Sequence, residues 1–240
     1  GWALEADVSS ADSVERALQQ IVDQWGAPRV AVSCAGIAPA SIFKSLKRAS
    51  LAQAINNAKQ VKLSLDAFAI DFDGQYPNDD TADYVIEGGT GETYSNDYFR
   101  QMFLAGVTES EKIFWVKNSA VAAKFAPDNK VKEGGRVQPD LVLQKGDCHW
   151  AYINEQSNLD TGSRPLILDG YKEGSSEWDA DTWDQKVIVL SVDGSCKPMR
   201  MRNSDGKVLD GSNKDILSSQ ADAWDGESPS ELLKQPQPGN

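Results

Sequence analysis

Residues 42–72 carry the strongest periodic signal in the chain. Leu51, Ile55, Ala58, Val61, Leu65, Phe68 and Phe72 recur every three or four residues, with Asn56, Lys59, Gln60, Lys62 and Asp66 between them. At helical pitch those apolar positions share one face. The spacing predicts one amphipathic helix over 42–72 that stops at Asp73-Gly74, with Leu51, Ile55, Ala58, Leu65 and Phe68 turned inward and Lys62 in solvent. A helix of that length needs a surface on which to bury its stripe. Tyr76-Pro77 then forces an extended segment.

The remaining chain reads as that surface. SNDYFRQMFLAG predicts a helix capped by Ser95 or Asn96, with Tyr98, Phe99, Met102 and Phe103 on one side and Gly106 as its stop. EKIFWVKNS, HWAYINEQ, RPLILDGY, KVIVLSVDGSCKPMRMR and KVLDG are short β-rich runs broken by Asp-Gly and Gly-Ser turns. Val187 to Val192 reads as a buried central strand, and Asp193-Gly194 as the hairpin turn into Cys196–Met201. The tail QADAWDGESPSELLKQPQPGN is polar and proline-bearing, expected to pack loosely with Trp224 as its anchor.

The first forty residues have a different rhythm. Leu4 to Val8 is a short strand. Val14, Leu18, Ile21, Val22 and Trp25 recur at helical spacing behind a Ser10 or Asp12 cap, and Val30, Val32 and Cys34 make a second strand. Asp7-Val8 and Cys34-Ala35-Gly36 resemble the ends of the third and fourth strands of the short-chain dehydrogenase/reductase family, with Cys34 where that family usually has Asn. The family's hydride transfer needs a glycine-rich turn for the pyrophosphate, and a Tyr with a Lys four residues on. No such turn lies in this stretch, and none of Tyr76, Tyr84, Tyr94, Tyr98, Tyr152 and Tyr171 has that Lys. An active dehydrogenase is therefore not expected.

NNAKQVKLSLDAFAIDFDGQYPND, with Asn57-Ala58-Lys59-Gln60 and Asp73-Gly74-Gln75-Tyr76-Pro77, resembles the helix exit of type IV pilin-like proteins, in particular the pseudopilins of type II secretion. The resemblance implies an α+β fold: a long N-terminal amphipathic helix packed on a small antiparallel sheet, a pilin-like head preceded by a short β-α-β segment. The implied organisation is a dehydrogenase-like fragment at 1–40, a head at 41–225 with its stem at 42–72, and a polar tail at 226–240. It implies a non-enzymatic structural or secretion-associated subunit, periplasmic, surface-bound or secreted, whose partners are other pilin-like subunits or its own copies. Trp2–Ala40 stands where the family has a prepilin leader and a glutamate-bearing apolar helix start, so membrane contact would require a helix missing from this sequence.

Charge and composition narrow the choice. A net charge of −12 argues against nucleic acid as partner, since phosphates need a basic face. Lys44, Lys47, Arg48, Lys59 and Lys62 form one local basic cluster, read as a solvated helix face. No apolar run approaches the roughly 20 residues of a membrane helix. Cys34, Cys148 and Cys196 have no metal spacing; they read as buried thiols, or as a Cys148–Cys196 disulfide with Cys34 left over.

Three motifs could carry chemistry. Asp160-Thr161-Gly162-Ser163 matches the short aspartic-protease signature, whose mechanism needs two carboxylates sharing a proton. Asp193 is the nearest second carboxylate, in Val192-Asp193-Gly194-Ser195, so an aspartic-type peptidase using Asp160 and Asp193 is the alternative to the structural reading. His149 is the only histidine and would have to serve any Ser/His/Asp triad, but no Gly-x-Ser-x-Gly elbow accompanies it, and it reads as a packing residue beside Trp150. Asp179, Asp181 and Asp184, with Asp169 nearby, are weak calcium candidates, as are Asp205, Asp210 and Asp215; neither set has EF-hand spacing. No other cofactor is expected.

Overall fold

The structure is a computed structural model that describes residues 11–25, 40–87 and 89–239. It divides into two compact units, Gly1–Leu51 and Ala52–Asn240. In the first unit, helix α1 spans Ala11–Trp25. Asp12 sits in its first turn, where the exposed amide ends favour negative charge. Arg16 donates to the Asp12 carbonyl at 3.2 Å and Gln19 to Asp23 at 2.8 Å, both at one-turn spacing. The strands expected on either side of α1, with Asp7, Val8 and the Cys34-Ala35-Gly36 signature, lie outside the described residues.

Helix α2 runs from Ala40 to Asp71 and begins in the first unit. Its buried apolar positions include Ala54, Ala58, Val61, Leu65 and Phe68, a stripe at alternating intervals of four and three residues, with Ala69 beside it. It ends where Asp73 and Gly74 enter the left-handed region at φ 50° and 84°, with the Gly74 N–H returning to the Ala69 carbonyl at 2.8 Å. Glycine is needed here for a second reason. A Cβ on Gly74 would lie 2.8 Å from Oδ1 of Asn158, whose own N–H donates to the Gly74 carbonyl.

Two short helices follow. Helix α3, Asp79–Val85, opens on a capping box in which the Asn78 side chain accepts from the Thr81 N–H and Thr81 Oγ1 accepts from the Asn78 N–H. Helix α4, Ser95–Leu104, departs from the expected cap. Its N-terminal amides at Thr93 and Tyr94 are taken by the Asp97 carboxylate, at 3.1 and 2.8 Å. Ser95 and Asn96 are buried instead and reach into the body: Ser95 Oγ donates to the Trp150 carbonyl, and Asn96 Nδ2 to the Leu143 and Gln144 carbonyls.

A five-stranded antiparallel sheet in the order β6-β5-β4-β3-β7 forms the centre of the second unit. Its strands are β3 Trp150–Ile153, β4 Pro165–Asp169, β5 Lys186–Ser191, β6 Cys196–Arg200 and β7 Leu233–Lys234. A separate ribbon pairs β1, Lys132–Glu133, with β2, Arg136–Val137, across Gly134 and Gly135, both at positive φ. Every residue of β3 and β4 is buried, so both faces of the central sheet are covered. On one face α4 meets β3: the Tyr98 and Phe99 rings stand 5.7 and 5.2 Å from Tyr152. On the other, Ile153, Leu168, Val187 and Val189 pack with Trp178, Val208, Ile216 and Trp224 from the late loops. β5 is the buried strand and Asp193-Gly194 the turn that the sequence predicts, with Gly194 at φ 79°.

The expected fold class is corrected by these elements. A pilin-like head requires a long amphipathic N-terminal helix packed on the sheet. The N-terminal helix here is the short α1, and the helix whose rings meet the sheet at β3 is α4. The periodicity of 42–72 also misplaces one side chain: Lys62, expected in solvent, is buried, while Leu63 and Ile70, apolar residues outside the stripe, are 69 and 80% exposed. Apolar and cationic side chains therefore appear on both faces of α2, and its amphipathic character is weak. The fold is a mixed helix-and-sheet chain built on a five-stranded antiparallel sheet.

The tail also departs from a loose coil. Trp224 is fully buried and its indole N–H donates to the Ile216 carbonyl at 2.8 Å. After the short helix α5, Pro229–Leu232, β7 joins the sheet beside β3, pairing Ile153 with Leu233 and Tyr152 with Lys234.

Candidate functional site

His149 closes the loop that leads into β3, and Asp169 ends β4 on the neighbouring antiparallel strand. The pairing of Trp150 with Asp169 sets the two side chains within reach at that end of the sheet. His149 Nε2 lies 2.7 Å from Asp169 Oδ1, and His149 Nδ1 lies 2.6 Å from Ser119 Oγ. Ser119 follows Asn118, a non-glycine residue at φ 65° that turns the loop sharply enough to aim the hydroxyl at the ring.

The partners fix the direction of the chain. Ser119 Oγ accepts from the Val121 and Ala122 amides at 3.1 and 2.9 Å, so its own hydrogen is left to donate to Nδ1. Nε2 then carries the ring proton and donates to Asp169. The second Asp169 oxygen accepts from the Ile188 N–H at 2.7 Å. A Ser–His–Asp relay, buried at His149 and Asp169, thus ties the 118–122 loop to β4 and β5.

Chemically the relay differs from a hydrolase triad. In the Ser-His-Asp template the serine bonds Nε2 and the aspartate Nδ1, and here the two nitrogens are exchanged. Both acceptor positions of Ser119 Oγ are occupied by amides, and those amides are held by Ser119 itself, so they do not wait as an oxyanion hole. The cavity beside the relay, lined by His149, Asp169, Trp178, Thr182 and Trp183 among others, has a volume of about 10 Å³. That is room for roughly one water and for no acyl substrate.

The structure separates the other expected site residues. Asp160 Oδ2 accepts from the Ser157 N–H at 2.6 Å and the Ser157 hydroxyl at 3.2 Å, while Oδ1 faces Arg164 at 3.4 Å. Asp193 accepts from the Ser195 N–H at 2.8 Å, and that bond holds its carboxyl below the ordinary range. The two turns do meet, through an Asp193 N–H to Gly162 carbonyl bond of 2.9 Å. Each acid closes its own turn: Asp160 through Ser157 and Asp193 through Ser195.

Asp179 accepts from the Asp181 N–H and the Thr182 hydroxyl at 3.0 and 2.9 Å. Asp210 accepts from the Ser212 and Lys214 amides, Asp205 pairs with Arg202, and Asp215 pairs with Lys207. Among the described residues no group of three His, Cys, Asp or Glu side chains is placed to hold a metal ion. Cys148, in the loop before β3, and Cys196, the first residue of β6, are free thiols. Burial pushes Cys148 up to about 12 and Cys196 to about 11. No described helix is long and apolar enough to cross a membrane.

Comparison with protein-family models, curated proteins and solved structures found no significant match.

Proposed function

We propose that the chain is a non-enzymatic structural subunit that acts at a cell surface or in a secretion assembly by binding further copies of itself. The outer face of α2 carries this reading. Leu63 and Ile70 are 69 and 80% exposed and two helical turns apart, so they project on one line. Exposed Gln60 and half-buried Ala67 lie on the same line. Large apolar side chains aligned on an open helix face mark an association surface more often than a solvated one.

Two further observations support it. The relay at His149 is saturated by loop-holding bonds, which suits a scaffold. Residues 57–77 resemble the helix exit of pseudopilins, which implies pilin-like or identical subunits as partners and a periplasmic, surface or secreted location. The net charge of −12 keeps nucleic acid out of the proposal.

Turnover assays test the non-enzymatic part. A denatured protein at acid pH and a simple ester at neutral pH should both show rates no higher with the native chain than with Asp160→Asn, Asp193→Asn or His149→Ala. Activity in the native chain that any of these substitutions abolishes would replace the structural reading with a hydrolytic one.

A further inference from the structure

We propose that the groove holding the C-terminal segment 233–239 is an exchange site, which accepts the same segment from a second copy of the chain. The inference stands apart from the α2 face, since it uses a different surface. Leu232 opens the segment by accepting from the Asn154 N–H, and β7 then adds a strand to β3. Beyond β7 the chain continues extended. The Gln235 carbonyl accepts from the Ser95 N–H at 2.9 Å, and its side-chain oxygen from the Tyr171 N–H at 2.8 Å. The Gln237 N–H donates to Asn96 Oδ1 at 2.8 Å while its carbonyl accepts from the Gly146 N–H at 3.1 Å.

The floor of the groove is shaped for this occupant. A Cβ on Gly170 would lie 2.6 Å from Cγ of Pro236, and one on Gly146 would lie 2.7 Å from the Gly239 Cα. Pro236 is buried against Gly170. Recognition is through main-chain bonds on both sides of an extended peptide, the mode by which a sheet accepts an added strand from another molecule.

What distinguishes this strap from an ordinary edge strand is its connection. Trp224 is fully buried, and residues 225–228 that follow are all exposed. Asp225 is held at φ 48° and Gly226 at φ 93°, which folds the strap back on its own groove. Aspartate and glycine both tolerate the left-handed region, so this turn lies in an exposed connector and not in the packed body. A strap placed in a neighbour's groove regains every one of these contacts. Reciprocal exchange then gives a closed two-fold dimer with no new interface chemistry.

The test uses the full chain and a variant lacking residues 225–228, whose strap cannot fold back. The shortened chain should be mostly dimeric where the native chain is mostly monomeric, with the Ser95 and Gly146 amides protected from hydrogen exchange in both. A monomer in which those amides exchange freely would overturn the proposal, because the strap would then be lost and not exchanged. Isotopically heavy and light copies of the native chain, concentrated together and diluted, give a second readout by native mass spectrometry. Mixed dimers should form, should diminish in Gly170→Ala, and should persist in Leu63→Asp with Ile70→Asp. If the shortened chain fails to fold and the mixture yields no mixed dimer, the proposal fails.

Discussion

His149 Nε2 and Asp169 Oδ1 meet at 2.7 Å with their side chains 3 and 7% exposed. Each is the other's main compensation for burial. Asp169→Ala removes the acceptor of both the His149 ring and the Ile188 N–H. Leaving both of those buried donors unpaired, at about 1–3 kcal/mol each, costs about 2–6 kcal/mol. Urea unfolding should show a loss in that range for Asp169→Ala, and a smaller one, about 1–3 kcal/mol, for Ser119→Ala. A double-mutant cycle should show the two losses to be non-additive, since both residues act through one ring.

Leu65 is fully buried on the inner stripe of α2. Leu65→Ala should lower stability by roughly 2–5 kcal/mol from transfer and cavity terms together. Lys62→Ala should also destabilise measurably. Lys62 is 7% exposed, pairs with Asp66 at 2.5 Å and lies 5.4 Å from the centre of the Tyr76 ring. Equal stability of Lys62→Ala and the native chain in urea would contradict the placement of this face of α2.

Cys148 is fully buried, and desolvation pushes its thiol from 9.0 to about 12. Since the thiolate is the nucleophile, site-resolved alkylation at pH 8 should leave Cys148 unmodified in the native protein and modify it in denaturant. The sign for stability follows from a folded-state value raised above the unfolded one. The contribution is intact below pH 9.0 and is lost as pH rises toward about 12.

Much of the sheet was legible because its signals are local. HWAYINEQ, RPLILDGY and KVIVLSV each contain a short β-rich run, and each holds a strand. Asp193-Gly194 predicted its own turn. The relay was not legible, because Ser119, His149 and Asp169 are 30 and 20 residues apart and only strand pairing joins them. Asp169 was visible as an acid beside the calcium candidates, and His149 as a lone histidine; nothing in the sequence marked Ser119. The strap was hidden for a related reason. Gln-Pro-Gln-Pro-Gly is polar and reads as solvated, but its partners are backbone and amide groups of Ser95, Asn96 and Gly146, far back in the chain. Lys62 shows the limit of a period argument: the spacing locates a helix but misplaces a side chain buried beside its acidic and aromatic partners.

Sedimentation velocity over a wide concentration range tests the central claim most directly, comparing the native chain with the Leu63→Asp, Ile70→Asp double variant. The substituted side chains are exposed, so the variant should keep the native melting temperature. The native chain should form oligomers as concentration rises, and the double variant should lose the larger species. Identical sedimentation of the two proteins at every concentration would contradict it, since the α2 face would then carry no association.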